Sequence, residues 1–372
     1  MKVAIIGTRG IPAKYGGFET FAQELAPRLV NKGLDVTVFC PNSTNGISIF
    51  RGVNLKYLQT SKDKAPMRYY MESVKEAVKD RFDIVLTCGQ GGYGYIPYML
   101  KRKRPVFITN TDGIEHRRTK WNKIVRLGVR VVGEMTSVLL SDYLVADSKG
   151  IKDYLNKEYS MIPHKHIYTI EYGADVISPV DYSTDLIGEY GIKPNEYFLV
   201  VSRIEPENNV AMIIEGYKKS GSTLPLVVVG NLKDNEYSMK LRNSAAGYDV
   251  RFVGGIYDPN KLKAIRLYCK AYLHGHSVGG TNPSLLEALG AGNIVIGHDN
   301  PFNREVTDNK MFYFANADEC AKAIKNVEAL STENIKQFAQ IATERIMNYY
   351  NWDRIADEYY NMLNECYKTK NK

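Results

Sequence analysis

Two glycine-rich segments and one arginine carry most of the chemistry that can be read from this chain. The first segment is GTRGIPAKYGGFET at residues 7–20. An apolar run at 2–6 leads into it, and an amphipathic pattern at 20–32 leaves it. Glycine lets the backbone turn sharply and lets a ligand approach main-chain N–H groups without a Cβ in the way. A helix start beyond such a loop offers free N–H donors and a positive dipole end, which suits a phosphate. The same pattern also describes a plain strand-to-helix turn of any α/β protein. The second segment is GHSVGGTNPSLLEALGAG at 275–292. Asn282, Pro283 and Ser284 stand where the N-cap and first turn of a helix belong. The N–H groups of 280–285 suit a diphosphate. Glu287, about one turn in, can accept from sugar hydroxyls or simply favour the helix start by its charge. Arg203 directly follows the apolar run 198–202, where a guanidinium can grip a phosphate bidentately or pair with Glu205 or Glu207. Together the three elements predict a nucleotide-linked phosphate held between two lobes.

The elements that must position these residues alternate in type. Apolar runs bounded by Gly, Pro, Asn or Asp predict strands at 2–6, 35–40, 83–88, 106–110, 143–146 and 166–170, with helical spacing between them (Phe21, Leu25 and Leu29 form one stripe). Such alternation predicts parallel sheets with right-handed crossovers. A polar stretch to about 195 interrupts the pattern, which restarts with strands at 197–202, 224–229, 250–253, 271–273 and 294–296. Helices are expected at 209–220, 261–268, 284–290 and 348–367. The expected fold is therefore α/β, with two Rossmann-like, doubly wound lobes and a cleft between them. Residues 1–175 are expected to form the first lobe, 176–195 a linker and 196–347 the second lobe. A final amphipathic helix at 348–368 is expected to pack back on the first lobe.

At 372 residues the chain exceeds the usual size of one core. With 44% hydrophobic and 24% charged residues, its composition is globular, leaving only the tail 368–372 as a candidate for disorder. The scattered cysteines (Cys40, Cys88, Cys269, Cys320, Cys366) fit buried thiols in a reducing compartment rather than disulfide or zinc frameworks. No leader is expected before the strand at the start, and no apolar run is long enough to span a bilayer. The net charge of +8 admits nucleic acid, an anionic membrane or phosphorylated ligands. Its densest runs are 101–104 and the segment holding His116, Arg117, Arg118, Lys120 and Trp121. Tryptophan beside basic residues suits lipid headgroups. No nucleic-acid-binding motif accompanies the charge, so no nucleic-acid partner is expected.

The whole chain resembles a two-lobe (GT-B) glycosyltransferase of family 4, and most closely the bacterial rhamnosyltransferases of polysaccharide biosynthesis. The likeness rests on GTRGIPAKYGGFET, on TDGIEHRRTKW at 111–121, on SRIEPENN at 202–209 and on HSVGGTNPSLLE at 276–287. It implies a cytoplasmic enzyme, peripheral to the inner face of the plasma membrane. That enzyme would move L-rhamnose from dTDP-rhamnose to a lipid-pyrophosphate-linked saccharide, with retention. It implies that the lobe 1–175 binds the acceptor and the lobe 196–347 the nucleotide sugar, with donor binding by Arg203, Asn208, Gly279, Gly280, Thr281, Asn282, Pro283, Ser284 and Glu287. A diphosphate or acceptor loop would comprise Arg9, Gly10, Tyr15, Gly16 and Gly17, and Arg117, Arg118, Lys120 and Trp121 would face the acceptor or membrane. Two departures stand out. Gly279 occupies the position of the first of two family glutamates, and Glu207-Asn208-Asn209 stands where a phosphate-binding lysine is usual.

No Asp-x-Asp pair occurs, so leaving-group stabilisation by arginine and helix dipole is expected, with no divalent metal or other cofactor. Asp112 and His116 follow the strand at 106–110 and are the candidate catalytic residues. With retention the departing phosphate itself can take the acceptor proton; with inversion Asp112 is the candidate base, although an Asp-Gly turn explains it equally well. Alternatives are a UDP-glucose or UDP-GlcNAc donor, or a nucleotide-sugar epimerase on the same fold. A dehydrogenase is disfavoured, because the first loop lacks Gly-x-Gly-x-x-Gly and Asp35 begins the second strand rather than ending it.

Overall fold

The computed structural model describes residues 1–14, 16–41, 46–111, 113, 123–162, 166–278 and 280–370. Two compact units emerge: Met1–Tyr172 with Trp352–Lys372, and Gly173–Asn351.

The first unit is built on an eight-stranded sheet in the order β3-β4-β2-β1-β5-β6-β7-β8. Its strands are β1 (Lys2–Ile6), β2 (Asp35–Pro41), β3 (Ile49–Phe50), β4 (Val53–Leu58), β5 (Ile84–Cys88), β6 (Val106–Asn110), β7 (Tyr143–Ala146) and β8 (His166–Thr169). All pairings are parallel except β3 with β4. Strands β5 and β6 are buried throughout, as their largely apolar character requires in a covered parallel sheet. The chain runs outward from β1 through β2 to β4, then returns to β1's other side as β5. The order therefore reverses between β1 and β5, and ligands of open α/β sheets bind at such switch points. The strands β3 and β4 and the helix Pro66–Lys79 were not expected. β4 alternates exposed and buried positions near the sheet margin and lacks the apolar run that marks its neighbours.

The helix Trp352–Lys370 belongs to this unit. Its stripe of Trp352, Ile355, Tyr359, Met362, Leu363 and Cys366 is buried. The Phe21 ring, on the helix Gly17–Asn31, lies 5.3 Å from that of Tyr359 and 6.3 Å from that of Trp352. The Tyr359 hydroxyl accepts from Asn110 Nδ2 at 2.9 Å, and Arg28 Nε donates to Asp353 at 2.8 Å.

One ion pair lies inside the basic run 101–104. A solvated helix end is the default expectation there, yet Arg104 turns inward and grips Asp142 with two bonds of 2.6 and 2.7 Å. Burial works to raise the Asp142 pKa, but Arg104 and the Phe107 N–H outweigh it and hold the carboxyl below its ordinary range. The folded pKa is depressed, so the stabilisation is complete above about pH 4 and is lost as pH falls through the folded value. Asp142→Asn is expected to cost about 2–3 kcal/mol near neutral pH. Thermal melts should also show a shallower loss of Tm for the variant than for wild type on going from pH 5 to pH 3.

The second unit holds a wholly parallel six-stranded sheet in the order β11-β10-β9-β12-β13-β14. Its strands are β9 (Phe198–Val201), β10 (Leu226–Val229), β11 (Val250–Gly254), β12 (Ala271–His274), β13 (Val295–His298) and β14 (Phe312–Phe314). Its order reverses between β9 and β12. One core layer joins Ile213, Ile214 and Tyr217 of the helix Val210–Ser220 to Phe198, Val200 and Leu226. The other face is covered by a cluster that includes Ile187 and Ile192 with Tyr197 and Leu199. The segment 176–195, expected as a linker, is thus part of this unit's core. Its polar sequence hides two isoleucines that fill a gap beside β9.

Candidate functional site

The three elements expected to bind phosphate divide between the units. Two of them lie in the second unit, at the reversal of its strand order. The Arg203 loop leaves the end of β9, and the second glycine-rich loop leaves the end of its neighbour β12.

These two loops are bonded together. Ser277 donates both its N–H (3.0 Å) and its hydroxyl (2.9 Å) to the Glu207 carbonyl. His276 Nδ1 and Asn208 Oδ1 are 2.7 Å apart. Asn209 Nδ2 donates to the Gly275 carbonyl at 2.7 Å, and Asn208 Nδ2 to the Arg203 carbonyl at 2.6 Å. The helix after β13, Pro301–Val306, adds a third brace, since its N-cap Asn300 and its Asn303 each donate to the His276 carbonyl at 3.0 Å. The side chain of Asn208, expected to bind donor, is therefore spent on loop structure. Glu207 and Asn208 are both buried.

Arg203 stands out against this background. It is exposed, and among the described residues its guanidinium makes no ion pair or hydrogen bond. Pairing with Glu205 or Glu207 does not occur. Glu205 takes Lys233 instead, and Glu207 is buried. Lys233 comes from the loop after β10, so a lysine does reach the Arg203 loop, from a different strand end. No local sequence signal marks it.

The helix Pro283–Gly290 begins as expected. Asn282 is its N-cap, accepting the Ser284 N–H at 2.9 Å, and Pro283 follows at the first position. Thr281 is buried, and Gly280 is partly so. The Ser284 hydroxyl donates to the Val201 carbonyl at 3.0 Å and lies 2.6 Å from the Tyr272 hydroxyl, which ties the helix start to the end of β9. Glu287 is not merely a favourable helix charge. It pairs at 2.5 Å with Arg266, whose side chain is 4% exposed, while its own is 34% exposed. Arg266, on the helix Pro259–Leu267, also was not expected in the site; nothing around it in sequence distinguishes it. His274, at the end of β12, is buried, and its Nε2 has no hydrogen-bond partner. Burial first, then its neighbours His276 and His298, hold its pKa well below the ordinary histidine value, so it is neutral.

In the first unit the loop after β1 is braced from within. Glu19 is buried and accepts the Arg9 N–H at 2.7 Å. The Arg9 guanidinium reaches Glu19 (3.5 Å) and Asp63 (2.8 Å). Gln23 accepts the Ala13 N–H at 2.8 Å. Gly16 is the helix N-cap at φ 110°, where a side chain would be strained and a Cβ would stand 2.1 Å from Glu19 Oε2. Gly10, at φ 89°, is pressed against the Cys40 side chain. Arg9 and Gly10 thus shape the loop, while Gly16 and Gly17 are exposed at its helix start.

Tyr15, Asp112, His116, Arg117, Arg118, Lys120, Trp121 and Gly279 lie outside the described residues. All five cysteines are free and buried. Among the described residues, no group of three or more His, Cys, Asp or Glu is placed to hold a metal ion. No helix among them is long and apolar enough to cross a membrane.

Residues 184–345 match the family Glycosyl transferases group 1, and residues 1–175 match a domain of unknown function, DUF1972. A probable sucrose-phosphate synthase of Thermosipho melanesiensis is 21% identical over 256 residues, covering 64% of this chain and 58% of that protein. The chain therefore spans less than two thirds of the length of that curated relative. Among solved structures, the sucrose-phosphate synthase of Thermosynechococcus elongatus superposes with a TM-score of 0.81 at 15% identity, covering 99% of each chain. Anabaena HepE, solved with UDP and glucose, superposes at 0.76 with 15% identity, over 98% of this chain and 100% of that one. The fold is the two-lobe α/β architecture of GT-B glycosyltransferases. The match to the glycosyl transferases group 1 falls within the second unit.

Proposed function

We propose that the protein is a family 4 rhamnosyltransferase. It moves L-rhamnose from dTDP-rhamnose to a lipid-pyrophosphate-linked saccharide during cell-surface polysaccharide assembly, with retention. It works at the cytoplasmic face of the plasma membrane without a divalent metal or other cofactor. The observation that carries the transferase chemistry is the exposed Arg203 guanidinium, unpaired among the described residues, on a loop bonded to the Asn282-capped helix start. A diphosphate leaving group needs such a cation with aligned N–H donors where its charge develops. Glu287, held by Arg266, presents a carboxylate to the hydroxyls of the nucleotide sugar. The segment 7–20 supports rhamnose as the sugar, through its likeness to the rhamnosyltransferases. In the first unit, the loop 9–17 faces the acceptor, with the segment 112–121. Asp112 is the base if the anomeric centre inverts.

A UDP-sugar donor is the second reading, favoured by HepE, which was solved with UDP and with UDP-glucose. A donor panel with a lipid-linked acceptor separates the two. Release of dTDP from dTDP-rhamnose, undiminished by EDTA, is the expected result. Turnover of UDP-glucose or UDP-GlcNAc alone would overturn the donor assignment, and loss in EDTA with recovery on manganese would overturn the metal-free mechanism. Sugar isomerisation without an acceptor would instead indicate an epimerase.

A further inference from the structure

Residues 123–140 of the first unit form one helical run: Lys123–Gly128 is α-helical, Val129–Met135 is wound as a π-helix, and Thr136–Leu140 is α-helical again. Its amphipathy is inverted. Among the described side chains, the buried positions are Gly133, Glu134, Ser137 and Val138, with Leu140 packed partly buried against the core. The Glu134 carboxylate accepts from the hydroxyls of Tyr154 and Tyr159 at 2.7 Å each, and Ser137 Oγ accepts the Gly92 N–H at 3.0 Å. The outward side carries Val125, Leu127, Val131, Val132, Met135 and Leu139, which are 37–62% exposed. A surface helix ordinarily turns such residues towards the core, and a contiguous exposed apolar patch marks a contact surface.

The rim of this patch is basic. The turn Gly92–Tyr98 packs on the helix. Directly after it come Leu100, Lys101, Arg102 and Lys103, all exposed. Arg126 and Arg130 lie on the helix itself, Arg130 paired with Glu158. Exposed apolar side chains beside the cations 101–103 match an anionic interface, where the former enter the acyl boundary and the latter meet the headgroups. A second copy of this chain fits less well. A two-fold contact through this face would bring two like-charged rims together.

We propose that the outward face of the helix 123–140, with Leu100 and the cations 101–103 at its rim, docks on an anionic lipid bilayer. The inference rests on the membrane partner of the proposed function and assigns it a surface. The test is co-sedimentation of the full chain with vesicles of phosphatidylcholine alone or mixed with phosphatidylglycerol. Wild type should sediment with the mixed vesicles and not with phosphatidylcholine alone. Val131→Asp/Met135→Asp should abolish binding. Lys101→Ala/Arg102→Ala/Lys103→Ala should lower the partition coefficient on the order of 100-fold. The altered positions are exposed, and matching circular dichroism spectra would confirm intact folds. A wild-type protein that stays in solution, or a double aspartate variant that binds as well as wild type, overturns the proposal. So does a lipid-free dimer, seen by sedimentation velocity, that the aspartates dissolve; the face would then belong to a second copy. Turnover is not read, so the docking surface and the donor assignment can fail separately.

Discussion

Arg203→Ala is expected to lower kcat/KM by about 10²–10³-fold, with most of the loss in kcat. On the proposed function, the substitution removes a charge that would grow in value as the glycosidic bond breaks and negative charge gathers on the departing diphosphate. The folded protein should hardly notice it. The side chain is exposed, and the loop is shaped by other bonds, from Asn208 to the Arg203 carbonyl and from Ser277 to Glu207. The Tm should therefore stay within a degree or two of wild type. Arg203→Lys should recover part of the rate, because a lysine supplies charge without the bidentate fork. Steady-state kinetics on the two variants checks this. Unchanged turnover in Arg203→Ala would remove the guanidinium from the mechanism and leave the helix start as the sole phosphate site in the second unit.

Gly275→Ala is expected to be a severely damaging single-carbon change in the second unit. A Cβ there would stand 2.1 Å from the Asn208 carbonyl oxygen and 3.0 Å from Ile213 Cδ1. The first obstacle is backbone and cannot swing aside. The two loops must part, and the bonds from Ser277 to Glu207 and from Asn209 to Gly275 must stretch or break. Overpacking of this kind costs about 1–3 kcal/mol, and the upper part of that range is expected here. Nucleotide affinity should fall about tenfold or more, since the Arg203 loop and the capped helix start would no longer share one geometry. Thermal melts and calorimetric titration with a nucleoside diphosphate report the two effects. Gly188→Ala is the control: nothing lies within 4 Å of its added carbon, so it should be neutral to slightly stabilising. A Gly275→Ala protein as stable and as tight-binding as wild type would mean that the loops are not rigidly joined.

Much of the fold is legible in the residues because its strands are buried on both faces. β1, β5, β6 and β9 read as largely apolar runs, and burial on both sides is the reason. Where that condition lapses, legibility does too. β4 alternates buried and exposed positions, and β14 is three residues long. The helices Ala317–Glu328 and Thr332–Arg345, although amphipathic, lie beyond the last glycine signal that organised the reading. Ile187 and Ile192 are two apolar residues in polar surroundings, and only their contacts with Tyr197 and Leu199 reveal them as core.

The site divides along the same line. Local chemistry determined the Asn282 cap, the proline at the first helical position, the place of Arg203 after a strand and the glycines of the first loop. Each depends only on neighbours within a few residues, which is the range over which backbone conformation and capping act. The tertiary structure alone decided the partners. Lys233 reaches Glu205 across 28 positions, Arg266 reaches Glu287 from a separate helix, and Asn208 is turned to His276. The outward turn of Val131, Met135 and Leu139 belongs with these. Their spacing makes a stripe in any helix, and only packing determines whether that stripe meets the core or the surroundings. Side chains far apart in the chain compete for the same few charges and the same few cavities, and that competition is settled only when the sheet brings its strand ends together.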